Sequence, residues 1–390
     1  MFALGVVVLS AVLAAVLAAV LLPATAQGAQ AQRVEAWGDP WSSQGFGHQY
    51  DGLTAVSGVR GTVVQISTSD SASYALTRNG TVWAWGVGQF GALGNGTTPV
   101  FVGKPVRVHF PAGVKIKSLP SPMPYDAGMA IDTSGHVWVW GSNYGFPLCL
   151  SGGNALYPKK LPFQHVTMAS GAGSHALYVA GGKLFSCGND ASGELGNGDT
   201  IGSKNPVRVV GLPHVSIRAV VSSWEDSGVL LSDGAFYDWG YNAADQLGNG
   251  TGEDSAVPVH VDLPAPVALV SMGGSDKFNG QTAAILSNGS TWAWGSNQFG
   301  QLGIGKLSPS AGPTLVAVPP GVSFVQVDSG GSSVYGITHS GAVWSWGQND
   351  LGQLGLLGRR ATARPTAVGV DLTSVSSTAG NVAGLGAAQR

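Results

Sequence analysis

The chain has 390 residues, 44% hydrophobic and 10% charged, with 19 basic against 21 acidic side chains and a net charge of −2. That balance excludes the clustered Lys and Arg that a nucleic-acid backbone demands, and the apolar content excludes a disordered chain in spite of 60 glycines. Two cysteines exclude a scaffold built on disulfides.

In chain order, residues 2–22 are almost wholly apolar, and Ala24-Thr25-Ala26 or Ala29-Gln30-Ala31 supplies small residues where a signal peptidase cuts. Residues 1–31 are therefore expected to be a signal peptide, and residues 32–390 a secreted or extracytoplasmic domain with no stable membrane insertion after cleavage. The first basic residue is Arg33, so the leader lacks a charged start. An uncleaved anchor over residues 2–22 is the alternative, since about 20 apolar residues span a bilayer.

From Arg33 onward one pattern recurs. Seven runs end alike: Glu35-Ala36-Trp37-Gly38, Trp83-Ala84-Trp85-Gly86, Trp138-Val139-Trp140-Gly141, Phe185-Ser186-Cys187-Gly188, Tyr237-Asp238-Trp239-Gly240, Trp292-Ala293-Trp294-Gly295 and Trp344-Ser345-Trp346-Gly347. The glycines are spaced by 48, 55, 47, 52, 55 and 52 residues, a period that suits propeller blades. Each repeat reads as four short strands. A Pro-led stretch such as Pro105–Val108 or Pro206–Val209 comes first, then a V-x-x-x-S/G run such as Val166–Gly171, then a segment such as Tyr74–Leu76. A Gly-containing turn such as Asn79-Gly80 or Asp233-Gly234 leads into the Trp-x-Trp strand, a strong hairpin signal. No sustained 3.6-residue period follows the leader, so the fold class is all-β.

After Gly347 the chain supplies Arg364–Val368, Leu372–Val375 and Asn381–Leu385 and ends without a Trp-Gly strand, while Arg33–Gly38 is such a strand with nothing before it. Three C-terminal strands joined to one N-terminal strand would complete a seventh four-stranded antiparallel blade and remove the open edges. The expected architecture is a seven-bladed β-propeller.

Five Leu-Gly loops follow these endings: Gly91–Gly96, Gly193–Gly198, Asp245–Gly250, Gly300–Gly305 and Gly352–Gly355. This W-G-x-N-x-x-G-Q-L-G-x-G signature resembles the regulator of chromosome condensation repeat family, over roughly residues 33–390, and the resemblance implies a seven-bladed propeller. The loops Gln44–Gly52 and Gly145–Gly153 depart from it by lacking Leu-Gly, and are expected to be irregular.

Cys187 stands where other repeats carry the second Trp, and Cys149 lies in the loop one repeat earlier. A small buried filler at Cys187 and an inter-blade bridge between the two in an exported protein are both open. Enzyme-like strings dissolve into the repeat. Gly86–Gly91 matches G-x-G-x-x-G but precedes a loop rather than a helix. Gly300–Lys306 resembles a phosphate loop but places Leu307 where Ser or Thr must hold Mg²⁺, and Asp328–Gly331 aligns with Ala169–Ala172 of another repeat. The eight histidines lack metal-site spacing. No catalytic, cofactor-binding or metal-binding residue is assigned, and no cofactor is expected.

In a four-stranded meander the second-to-third and fourth-to-first connections share one face, which here holds every long loop. The residues expected to bind a partner there are Tyr125 and Asp126, Trp224, Glu225 and Asp226, and Asp276 and Phe278 from the former connections. The latter contribute Trp41, Phe46, Tyr50, Phe90, Tyr144, Phe146, Tyr241 and Phe299. Tyr and Trp beside acids anchor protein interfaces. The expected function is that of a monomeric, non-catalytic, exported module binding a protein or cell-envelope partner, with no nucleic acid involved. One alternative is an exported inhibitor similar to the propeller-type β-lactamase inhibitory protein. Guanine nucleotide exchange, the activity of the family's founding nuclear member, ranks last because export removes its partner and no basic tail is present.

Overall fold

The structure is a computed structural model that describes residues 32–38, 53–145, 147–276, 278–356, 358, 360–378 and 380–386. The expected signal peptide and the loop 44–52 lie outside the described residues. All described residues belong to one compact unit.

Seven four-stranded antiparallel sheets form the molecule. The N-terminal strands β1 (Arg33–Gly38) and β2 (Thr54–Ala55) are followed by blade 1, of β3 (Val63–Thr68), β4 (Ala72–Thr77), β5 (Val82–Gly86) and β6 (Val102–Arg107). Blade 2 holds β7 (Ile116–Ser118), β8 (Ala127–Asp132), β9 (Val137–Gly141) and β10 (Ala155–Lys160), and blade 3 holds β11 (Val166–Ala172), β12 (His175–Ala180), β13 (Lys183–Gly188) and β14 (Ser203–Arg208). Blade 4 comprises β15 (Ile217–Ser222), β16 (Asp226–Leu231), β17 (Phe236–Gly240) and β18 (Ser255–His260). Blade 5 comprises β19 (Val267–Gly273), β20 (Gln281–Leu286), β21 (Thr291–Ser296) and β22 (Ser310–Leu315). Blade 6 comprises β23 (Phe324–Ser329), β24 (Ser333–Thr338), β25 (Ala342–Gly347) and β26 (Thr362–Asp371), and β27 (Ser374–Ser377) and β28 (Asn381–Gly386) end the chain.

The blade count agrees with the sequence, but the blade boundary falls one strand away from the expected place. Each Pro-led strand pairs with the Trp-x-Trp strand before it and forms the outer edge of that blade, as β6 does with β5 and β26 with β25. Blade 7 is accordingly β27-β28-β1-β2, two strands from each end of the chain rather than three and one. The reason is proline. Pro105, Pro158, Pro206, Pro258, Pro313 and Pro365 all sit in outermost strands, where a residue lacking an N–H breaks no second ladder. The expected pairing of the ends is present, with Val34 opposite Leu385 and Trp37 opposite Val382.

The core lies between blades. Seven apolar clusters each join two neighbours, including Trp37, Tyr335 and Val382 between blades 6 and 7, and Val34, Ile66 and Trp85 between blades 7 and 1. Inner strands also touch through small polar side chains: Thr68 N donates to Ser376 Oγ at 3.1 Å, Ser329 N to Ser271 Oγ at 2.9 Å, and Ser170 Oγ lies 2.8 Å from Ser222 Oγ. Small residues are needed there because seven strands converge on one axis.

In four of the endings the second Trp locks a blade to the loop of the one before. Trp140 Nε1 donates to Ala92 O at 2.9 Å, Trp239 to Glu194 O at 2.8 Å, Trp346 to Gln301 O at 2.9 Å and Trp37 to Gln353 O at 2.8 Å. Beneath each indole sits the loop glycine: a Cβ on Gly303, at φ +65°, would lie 2.7 Å from Trp346 Nε1. An asparagine braces the loop. Asn297 Oδ1 accepts from Leu302 N, and its Nδ2 donates to Lys306 O and Ser308 Oγ.

The loop Gly145–Gly153, expected to be irregular, keeps this scaffold over its described residues. Asn143 Oδ1 accepts from Leu148 N at 3.2 Å, its Nδ2 donates to Leu150 O and Gly152 O, and Leu148 is fully buried. Cys149 stands in the glycine position at φ +50° and is disulfide-bonded to Cys187, with Cα atoms 5.6 Å apart. The bridge, and not a free buried thiol, is what the structure contains.

Candidate protein-binding rim

Connections between the first and second strands of each blade, and between the third and fourth, emerge on one face. Backbone bonds tie them together: Val87 N donates to Ser71 O, Ser142 N to Asp126 O, Tyr241 N to Glu225 O and Ser296 N to Gly280 O, all at 2.8–2.9 Å. The two loops of each of these blades are thus tied to one another, and each loop is held at both ends by rigid strands.

Two of the expected aromatic groups come together in pairs. Tyr125, in the first connection of blade 2, meets Trp224, in that of blade 4, edge to face with centroids 5.2 Å apart. They reach each other across blade 3 because its own connection is a bare Gly173-Ser174. Tyr125 N donates to Gly173 O, and a Cβ on Gly173 would lie 2.1 Å from Trp224 O. The second pair is Tyr241 with Phe278, 6.4 Å apart and edge to face.

The remaining positions stand more alone. Phe90 is exposed at φ +59°, Tyr144 is 90% exposed, and Phe299 is half-buried; among the described residues these three make no ring contact. Asp276 accepts from Phe278 N at 2.8 Å and from Asn279 Nδ2 at 2.7 Å, ordering its own loop. Glu225 is half-buried beside the start of blade 4. Trp41, Phe46, Tyr50 and Phe146 lie outside the described residues. Asp226 is a correction: as the first residue of β16 it is buried between blades 4 and 5, with Oδ1 near Gly280, and it presents nothing to solvent.

Sequence reasoning missed the polar interior beneath the rim. Burial, with Glu225 and Glu194 nearby, holds the Asp226 carboxyl well above the usual range, and burial beside Asp226 does the same to Asp238. Burial pushes Glu194 up to about 7 and Asp190 up to about 6. Asp328, which accepts from the Ser377 hydroxyl, is pushed up by burial to about 7. His175 is fully buried with Nε2 2.8 Å from Ser227 Oγ, and burial lowers it to about 4. In each of these groups desolvation favours the neutral form. Among the described residues no three His, Cys, Asp or Glu side chains are placed to hold a metal ion.

At the axis the channel mouth narrows to a cavity of about 20 Å³, room for roughly one water molecule. Asp70, Met123, Gly173, Ser223, Trp224 and Thr378 are among its walls. The Ser223 hydroxyl is buried and without a hydrogen-bond partner among the described residues.

Comparison with known proteins follows from this geometry. The regulator of chromosome condensation (RCC1) repeat matches residues 79–119, 181–230, 233–275, 288–337 and 340–381, more than half of the chain, and a second form of the repeat matches residues 63–92. The ultraviolet-B receptor UVR8 of Arabidopsis thaliana is 28% identical over 311 residues, covering 78% of this chain and 69% of the receptor. The mitochondrial RCC1 domain-containing protein RUG3 of the same plant is 31% identical over 267 residues, covering 65% of this chain and 57% of that protein. Among solved structures, Prp20p of Saccharomyces cerevisiae, described with its binding to Gsp1p and histones, superposes with a TM-score of 0.79 at 19% identity, covering 93% of each chain. That likeness shows the fold.

Proposed function

Because this chain belongs to the regulator of chromosome condensation repeat family, we propose that it is an exported, monomeric, non-catalytic module that binds a protein or cell-envelope partner through the long-loop rim. The observation that carries this is the Tyr125–Trp224 pair, built from blades 2 and 4 over the glycine of blade 3. A monomeric ring has no stability reason to seat a half-exposed aromatic pair at the channel mouth, whereas aromatic anchors on a rigid frame are what a binding surface uses. Export is supported by the apolar residues 2–22 and by the Cys149–Cys187 bridge, since such bonds persist in oxidising compartments. Binding of Gsp1p and histones belongs to Prp20p.

The test is capture from the culture fluid of the source organism by the mature domain, compared with a Trp224→Ala and Phe299→Ala double variant. Proteins held by the native domain should be lost from the variant. Equal capture by both would overturn the assignment of the rim.

A further inference from the structure

Resting on the rim as the binding face, we infer that its occupant carries lysine, and that one ammonium group seats at the channel mouth against Trp224. Charge is distributed unevenly over the molecule. The rim connections of blades 1 to 4 hold Asp70, Asp126 and Glu225, together with the exposed Asp199, Glu253 and Asp254, and contain no Lys or Arg. On the opposite face of the same blades the connections carry Arg78 and Lys115 against Asp233 and Asp262. A chain of net charge −2 therefore presents one strongly negative sector, which steers a positive partner to this side.

Three features narrow the occupant to an ammonium. Tyr125 and Trp224 offer aromatic surface beside Asp70, and a cation is favoured where a ring face and a carboxylate converge. The Ser223 hydroxyl, buried and unpartnered among the described residues, lines the same cavity and supplies an oxygen acceptor where an N–H would point. The cavity, with room for about one water molecule, accommodates a group of the size of an ammonium.

The mature domain is titrated with a fluorescein-labelled peptide of alternating Lys and Gly, and with the same peptide acetylated on every Lys. The unmodified peptide should bind, with affinity falling as salt rises, and the acetylated one should bind at least about tenfold more weakly. Asp70→Asn and Trp224→Ala should each weaken binding by about tenfold, the size of a 1.4 kcal/mol contact. Asp262→Asn, on the opposite face, should leave it unchanged. Near-ultraviolet circular dichroism verifies that each variant is folded, and Asp70→Asn carries the test if Trp224→Ala is not. Absence of binding, equal binding of the acetylated peptide, or equal binding by the folded rim variants would overturn the inference. If proteins captured through Trp224 and Phe299 are not displaced by the Lys peptide, this inference fails while the rim reading stands. If capture ignores both rim residues, the rim reading itself fails.

Discussion

Cys149 and Cys187 occupy, in covalent form, the place where a loop glycine meets a tryptophan at five other blade junctions. Gly94 faces Trp140, Gly196 faces Trp239, Gly248 faces Trp294, Gly303 faces Trp346 and Gly355 faces Trp37. At the junction of blades 2 and 3, Cys149 takes the glycine's left-handed conformation and Cys187 the position of the indole. Both halves of the contact have changed together, and the bridge fills the gap that the missing ring would leave.

Reduction or a Cys149→Ser, Cys187→Ser variant should therefore destabilise the domain by about 2–4 kcal/mol, the usual range for a loop of this length. A Cys149→Gly, Cys187→Trp variant should regain part of that loss, because the standard pair fits the scaffold still held by Asn143 and Leu148. Urea unfolding of the three proteins measures this. A Gly–Trp variant no more stable than the Ser–Ser variant would show that the two junctions are not equivalent.

Closure of the ring makes the first described strand as important as any interior one. Trp37 is fully buried and donates to Gln353 O, just as Trp346 donates to Gln301 O. Trp37→Ala and Trp346→Ala should each cost about 3–5 kcal/mol, and Trp292→Ala, at a half-buried position, should cost less. Chemical denaturation compares them. A near-neutral Trp37→Ala would mean that the ring does not depend on its N-terminal strand.

The braced loops should be sensitive to their asparagines. Asn297→Ala removes three hydrogen bonds, from Leu302 N and to Lys306 O and Ser308 Oγ. At about 1 kcal/mol each the expected loss is about 2–3 kcal/mol, together with faster proteolysis between Asn297 and Ser308. Limited digestion followed by mass spectrometry locates the cut, and an unchanged digestion pattern would remove the bracing role.

Stability should fall from mildly acidic to neutral pH. Glu194, Asp328 and Asp190 have folded pKa values raised to about 7, about 7 and about 6, so the folded state holds protons that the unfolded chain releases near pH 4. Their contribution is full below the unfolded values and is lost as pH rises through the folded ones. His175, lowered to about 4, works the other way between pH 6.5 and 4 and offsets one carboxyl. The melting temperature should drop between about pH 4 and pH 7, and Glu194→Gln should flatten that drop. A wild-type curve rising steadily to pH 8 would contradict it.

The ring, its seven blades and the pairing of its ends were legible because the aromatic endings repeat and the Gly turns punctuate them. The blade boundary was equally readable, since Pro105 and its five counterparts demand an edge, but repeat spacing alone does not say which neighbour a strand pairs with. Asn143, five residues before Leu148 as Asn242 is before Leu247, was the available sign that the second loop keeps the common form. Trp224 and Tyr125 were individually visible as loop aromatics. Their meeting was not, because it depends on Gly173 lowering blade 3 beneath them, a matter of height rather than of spacing. Asp226 looked like a rim residue by adjacency to Glu225, but it opens β16, a strand buried along its whole length.

Hydrogen exchange on the mature domain, alone and saturated with a partner captured from culture fluid, reads the binding face directly. Protection should concentrate in residues 119–126, 223–225 and 241–254, leaving the turns at 78–81 and 287–290 unaffected. Protection of those turns with none at 223–225 would place the partner on the other side of the ring and contradict the rim assignment.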